Sequence, residues 1–180
     1  MIDIVSSLSK FFGDMYQNRI GIHYINEAQM YNINEDQSIL HIGSGAYPIT
    51  ALVLAKLFKG RIVTIDKNPI VIKIAKRVIK KEHLSHRIEV LYGNGLTFDV
   101  SSFDVVIISS CSVPKEEILT HVFSHTNNHC KIIVRELNSE IGELKKFVKR
   151  FNDIIQTMEI RSCAIPNLCW NSFFFEKKKL

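Results

Sequence analysis

Apolar and polar positions along the chain follow two alternating rhythms. Short apolar runs recur at Ser38–Gly43, Arg61–Asp66, Arg87–Tyr92, Phe103–Ser109 and Lys131–Arg135. Between them, apolar residues fall at helical spacing over 48–58 and 69–81, and again from Pro114 and over 141–151. Val105-Val106-Ile107-Ile108 has no polar break, as expected of a central parallel strand buried on both faces. Ahead of the first strand, Ile4, Val5, Leu8, Phe11, Phe12 and Met15 space a helix over 3–16, and a second is expected over about 20–31. Ile154–Ile160 and Ser172–Phe175 close the chain as a pair of strands. Regular strand–helix alternation predicts a doubly wound, Rossmann-like α/β sheet of about seven strands, mostly parallel with an antiparallel C-terminal strand, flanked by helices. Residues 1–37 form an N-terminal helical lid or cap, and 38–180 one compact binding domain.

Right-handed crossovers bring the tips of the first, second and fourth strands around one crevice. The turns at those tips carry the chemistry. Gly43-Ser44-Gly45 follows the first strand, and glycines let a ligand approach the backbone closely. Asp66 ends the second strand, about 20 residues later, where an acid can accept from both hydroxyls of a ribose. Gly93-Asn94-Gly95 follows the third strand, and the Asn94 amide can donate to and accept from an adenine edge. Together these turns describe a site for a nucleoside-bearing cofactor. A dinucleotide would want a third glycine and a phosphate-facing cation. Ala46-Tyr47-Pro48-Ile49 supplies neither. That favours S-adenosylmethionine over NAD.

Composition narrows the picture. At 180 residues, 46% hydrophobic and 23% charged, the chain is an ordinary globular domain. It lacks an apolar run of membrane-spanning length and a secretory leader, so a cytoplasmic protein without a membrane partner is expected. The net charge of +5 reads as scattered surface lysines and arginines, and a nucleic-acid partner is unlikely on this reading. Cys111, Cys130, Cys163 and Cys169 form no C-x-x-C pair and are expected to be reduced. His121, His125 and His129 are spaced four apart, but the helix should end before His129; no metal site is expected.

The order Ile39-Leu40-His41-Ile42-Gly43-Ser44-Gly45, Thr64-Ile65-Asp66, Gly93-Asn94-Gly95 and Phe103-Asp104-Val105-Val106 resembles the class I S-adenosylmethionine-dependent methyltransferases over roughly residues 20–177. By that resemblance Gly43 and Gly45 lie at the methionine end, with Ser44 between them in the cofactor site, and Asp66 holds the ribose. Lys67 and Asn94 flank the adenine, and Gly95 and Ser109 are further cofactor-binding positions. Most such enzymes carry an acid where His41 stands and a third glycine where Tyr47 stands. Both departures, with Pro48-Ile49-Thr50 and His23-Tyr24-Ile25-Asn26, are closer to the nicotianamine synthase branch. That branch transfers the aminocarboxypropyl arm of the cofactor. Its acidic catalytic residue has no evident counterpart here, and Tyr24 is the one catalytic position that carries over.

Tyr24 and Tyr47 are therefore the catalytic candidates, Tyr47 as lid or general base. After the fourth strand, Ser109-Ser110-Cys111-Ser112 stands where nucleic-acid amino methylases have an Asn/Asp-Pro-Pro-aromatic motif. The sequence thus points first to methyl transfer from S-adenosylmethionine to a small-molecule acceptor. The alternatives are a nicotianamine synthase-like aminocarboxypropyl transferase and a noncatalytic cofactor-binding subunit.

Overall fold

Seven strands form one sheet in the order β3-β2-β1-β4-β5-β7-β6 in the computed structural model, which describes residues 19–165 and 168–178. The strands are β1 (Ile39–Ile42), β2 (Ile62–Asp66), β3 (Ile88–Tyr92), β4 (Val105–Ile108), β5 (Lys131–Leu137), β6 (Ile154–Ile165) and β7 (Leu168–Lys177). Among the described residues the helices are α1 (residues 19–30), α2 (Ile49–Leu54), α3 (Pro69–Lys81), α4 (Lys115–His125) and α5 (Ile141–Val148). The helix expected over 3–16 lies outside the described residues.

The first five strands are parallel, and β7 runs antiparallel to both β5 and β6. Burial follows position in the sheet. Central β1 and β4 are buried at every residue, whereas edge strand β3 buries Ile88 and Val90 and exposes Glu89 and Tyr92. Side-chain parity divides the core into two layers. Leu40, Ile42, Val63, Ile65, Val106 and Ile108 pack against α4 and α5. Ile39, Ile62, Val105, Ile107, Ile133 and Phe174 pack beneath α1, α2 and α3. The helices start where local chemistry allows. Asn68 caps α3 by accepting from the backbone of Ile70 and Val71, with Pro69 in the first turn.

The closing strands are longer than the sequence indicated, because β6 and β7 pair as one extended hairpin. Cys163 and Cys169 face each other across it with Cα atoms 4.1 Å apart and are joined in a disulfide. This corrects the expectation of four reduced thiols. Their six-residue separation spans a hairpin tip, which a search for C-x-x-C spacing does not detect. Cys130 is buried, and burial pushes its thiol up to about 12.

Candidate functional site

The crossover from β1 to β4 opens a cleft at the carboxyl ends of β2, β1 and β4, as an open α/β sheet requires. Gly43, Asp66, Lys67, Asn94 and Gly95 line it, together with Cys111, Ser112 and Val113. Gly43 and Gly45 have φ of +79° and +68°, the region glycine enters without strain. Gly43 N–H and Ser44 N–H both donate to the Ile65 carbonyl, and this ties the turn to β2. Gly45 N–H donates to Asp66 Oδ2 at 3.2 Å, and Asn68 N–H to Oδ1 at 3.0 Å. The Asp66 carboxylate is thereby oriented by backbone donors on both oxygens, with lone pairs left for a diol.

Asn94 presents less than its side chain suggests. Its Oδ1 already accepts from Leu96 N–H at 3.1 Å, which leaves the amide NH2 and one oxygen lone pair for a ligand. Lys67 reaches across the cleft, where its Nζ donates to the Val113 carbonyl at 2.9 Å. Ser112 closes the opposite side, donating from Oγ to the Ile42 carbonyl at 3.0 Å beside Gly43. Loop 109–114 therefore narrows the cleft to about 80 Å³. Ser109 stands behind this wall. Its Oγ bonds His41 Nε2 at 2.7 Å.

His41 takes the place of an acid in a wholly buried setting. Burial, with the Arg135 cation adding to it, pushes the imidazole down to about 3, so it is neutral. Its Nδ1 has no hydrogen-bond partner, nor has the Oγ1 of Thr64 on the neighbouring strand.

The two tyrosines do not line the cleft. Tyr47 is half-buried against the layer beneath α1 and α2. Tyr24 lies over the Arg135 guanidinium, 3.6 Å from ring centroid to Cζ, and in edge contact with Trp170 at 5.8 Å. Burial raises the Tyr24 phenol, against the lowering effect of Arg135, so the group is a hydrogen-bond donor rather than a ready base. Arg135 in turn pairs with Glu27 of α1, Nη2 to Oε2 at 2.7 Å, and donates to Thr50 Oγ1 at 2.7 Å. Trp170 Nε1 and Ser172 Oγ both donate to Glu27 Oε1. A charged residue at the end of an otherwise apolar β5 run was the available signal for this cluster.

A second cavity, of about 370 Å³, opens between α4 and α5 and shares Ser110 and Val113 with loop 109–114. Its wall holds a buried pair, Lys115 Nζ to Glu136 Oε2 at 3.2 Å. Lys115 also donates to the Ser109 carbonyl at 2.6 Å, and burial lowers its pKa. Away from the cleft, His121 Nε2 meets the Phe98 carbonyl and His125 Nδ1 the His121 carbonyl, each at 2.8 Å.

The class defined by this sheet order and glycine turn is the Rossmann-like methyltransferase fold. Within it, the model of the nicotianamine synthase protein family matches residues 11–180, and the chain belongs to that family. A crystal structure of a mutant of MtNAS in complex with S-adenosylmethionine superposes with a TM-score of 0.73 at 16% identity, covering 90% of this chain and 63% of that one. An RNA methyltransferase from Salinibacter ruber in complex with S-adenosyl-L-homocysteine gives 0.67 at 13% identity, covering 87% of this chain and 92% of the other. Among curated proteins, a probable ribosomal RNA small subunit methyltransferase A from Methanosphaera stadtmanae is 37% identical over 76 residues, 42% of this chain and 27% of its own length. The chain thus spans under two thirds of MtNAS and about a quarter of this curated relative. Among the described residues, no helix is long and apolar enough to cross a membrane.

Proposed function

We propose that this protein binds S-adenosylmethionine in the β2–β1–β4 cleft and transfers a group from it to a small-molecule acceptor. The observation that carries this reading is the pairing of two cavities across loop 109–114. One presents Gly43, Asp66, Asn94 and Gly95 to a nucleoside; the other, at about 370 Å³, has the size of a small-molecule pocket. Asp66 would hold the ribose hydroxyls and the Asn94 amide would donate to the base. Cofactor entry parts the Lys67–Val113 contact, since about 80 Å³ is well below a usual ligand pocket.

The cofactor supplies a carbon activated by an adjacent sulfonium. The protein's part is alignment and exclusion of water. Tyr24, held by Arg135, is a positioning donor. Family membership over residues 11–180 favours the aminocarboxypropyl arm as the transferred group. The likeness to methyltransferases supports methyl transfer as the second reading.

Product analysis decides. The protein is incubated with S-adenosylmethionine and the low-molecular-mass fraction of a cell extract. Methylthioadenosine marks aminocarboxypropyl transfer and S-adenosylhomocysteine marks methylation. Cofactor binding with neither product would leave a noncatalytic binding subunit.

A further inference from the structure

We infer that the outer face of α3 is a docking surface for single-stranded nucleic acid, separate from the small-molecule chemistry of the cleft. Over most of the chain the basic residues are scattered, but the sequence already sets a basic face on the helix that ends at Lys81, and the fold turns that face to solvent. Lys73, Lys76, Arg77, Lys80 and Lys81 all lie on α3, all are exposed, and the helix contains no acid. The whole chain holds 23 basic and 18 acidic residues, so this one helix accounts for the entire formal excess. No ion pair among the described residues involves any of the five. Several other surface cations are neutralised, as in Lys59–Glu35, Arg61–Glu89 and Lys146–Glu143. An uncompensated row of this kind costs stability through self-repulsion unless an anion meets it.

Geometry favours a nucleic-acid strand over a lipid surface. At 3.6 residues per turn, Lys73, Lys76, Arg77 and Lys80 share one outer arc, rising about 10 Å along the axis. The apolar stripe of α3, Ile72, Ala75 and Ile79, is consumed by the sheet. That leaves no apolar face to enter a bilayer, only Ile70 and Ile74 beside the cations. Next to Ile70's end of the helix, Tyr92 pairs in register with Asp66 and is 65% exposed. Its side chain shares the α3 face of the sheet with Ile88 and Val90. An exposed aromatic beside a cationic row is the arrangement that stacks bases while neutralising phosphates, without sequence preference.

The test is fluorescence anisotropy of the full chain with an oligo-uridine RNA of about twelve nucleotides, across a salt series. Four to five neutralised phosphates predict a log–log salt slope of about −3. The triple variant K73Q/K76Q/K80Q should reduce that slope to about −1 and weaken binding at low salt by about tenfold or more. Tyr92→Ala should weaken it further without changing the slope. The triple variant K145Q/K146Q/K149Q removes equal charge from the opposite face and should leave binding intact. Unchanged circular-dichroism melting shows that both triples fold. The inference is overturned if the wild type does not bind the RNA at low salt or if the two triples weaken it equally. It is equally overturned if phosphatidylserine vesicles are bound in place of the RNA.

Discussion

Glu27 of α1 and Arg135 of β5, 108 residues apart, form a buried bidentate ion pair that fastens the helix before the sheet to the sheet itself. Their side chains are 1% and 5% exposed, and every other polar neighbour of Glu27 is a donor: Trp170 Nε1 and Ser172 Oγ. Removing one partner strands a charge in the core. Arg135→Met is therefore expected to destabilise the protein by about 3–5 kcal/mol in urea unfolding. The double variant E27Q/R135M should recover much of that loss, because no buried charge is left unpaired. A single-variant loss below about 1 kcal/mol would mean that water reaches the pair.

Gly43 and Gly45 both have positive φ, but they differ in surroundings. A methyl group on Gly43 would collide with Ser112 Oγ, whereas nothing lies near the position of a Gly45 Cβ. Gly45→Ala should cost about 1 kcal/mol, the backbone penalty alone. Gly43→Ala should cost more and displace loop 109–114. Adding Ser112→Gly should return G43A to the level of G45A. Equal melting temperatures for the two single variants would show that Ser112 does not press on the turn.

His41 predicts an acid-sensitive fold. Its folded pKa of about 3 lies below the unfolded value near 6.5, so its stability contribution is present above pH 6.5 and is lost as pH falls toward 3. Between pH 7 and pH 5 the loss should be about 2 kcal/mol. In the His41→Gln variant that part of the pH dependence should vanish. Urea midpoints at the two pH values measure it. Parallel curves for variant and wild type would mean that the imidazole is not buried neutral.

Much of this arrangement is legible in the sequence because it is local. Gly43-Ser44-Gly45, Asp66 and Gly93-Asn94-Gly95 each sit at a strand end that apolar runs mark directly, and sheet topology brings those ends together. The relationships that were not legible depend on pairing across the chain. Glu27 with Arg135, Cys163 with Cys169 and Lys115 with Glu136 are set by register and crossing angle. Tyr24 is a candidate by likeness to the nicotianamine synthase branch, and Tyr47 by its place beside the glycine turn. In the fold Tyr24 goes to Arg135 and Tyr47 to the layer beneath the helices. The basic outer face of α3 is legible as a local run of cations; that no acid pairs with it in space is not.

Cys111 is exposed at the cleft wall, and Cys130 is buried with its thiol pushed up to about 12. Under non-reducing conditions, iodoacetamide should label Cys111 alone, with Cys163 and Cys169 held in their disulfide. S-adenosylhomocysteine should slow that labelling. Peptide mapping showing Cys130 labelled first, or Cys111 labelled equally fast with ligand present, would remove Cys111 from the cofactor cleft.

Calorimetric titration of S-adenosylhomocysteine into the wild type and the Asp66→Ala variant tests the central claim most directly. Asp66, the proposed ribose acid, is oriented by Gly45 and Asn68 N–H donors. The account predicts one site in the wild type and a loss of about 1.5–3 kcal/mol in binding energy in a variant that melts normally. NAD should give no heat at the same concentration. No binding to the wild type, or equal affinity in the folded variant, would contradict the assignment of the β2–β1–β4 cleft.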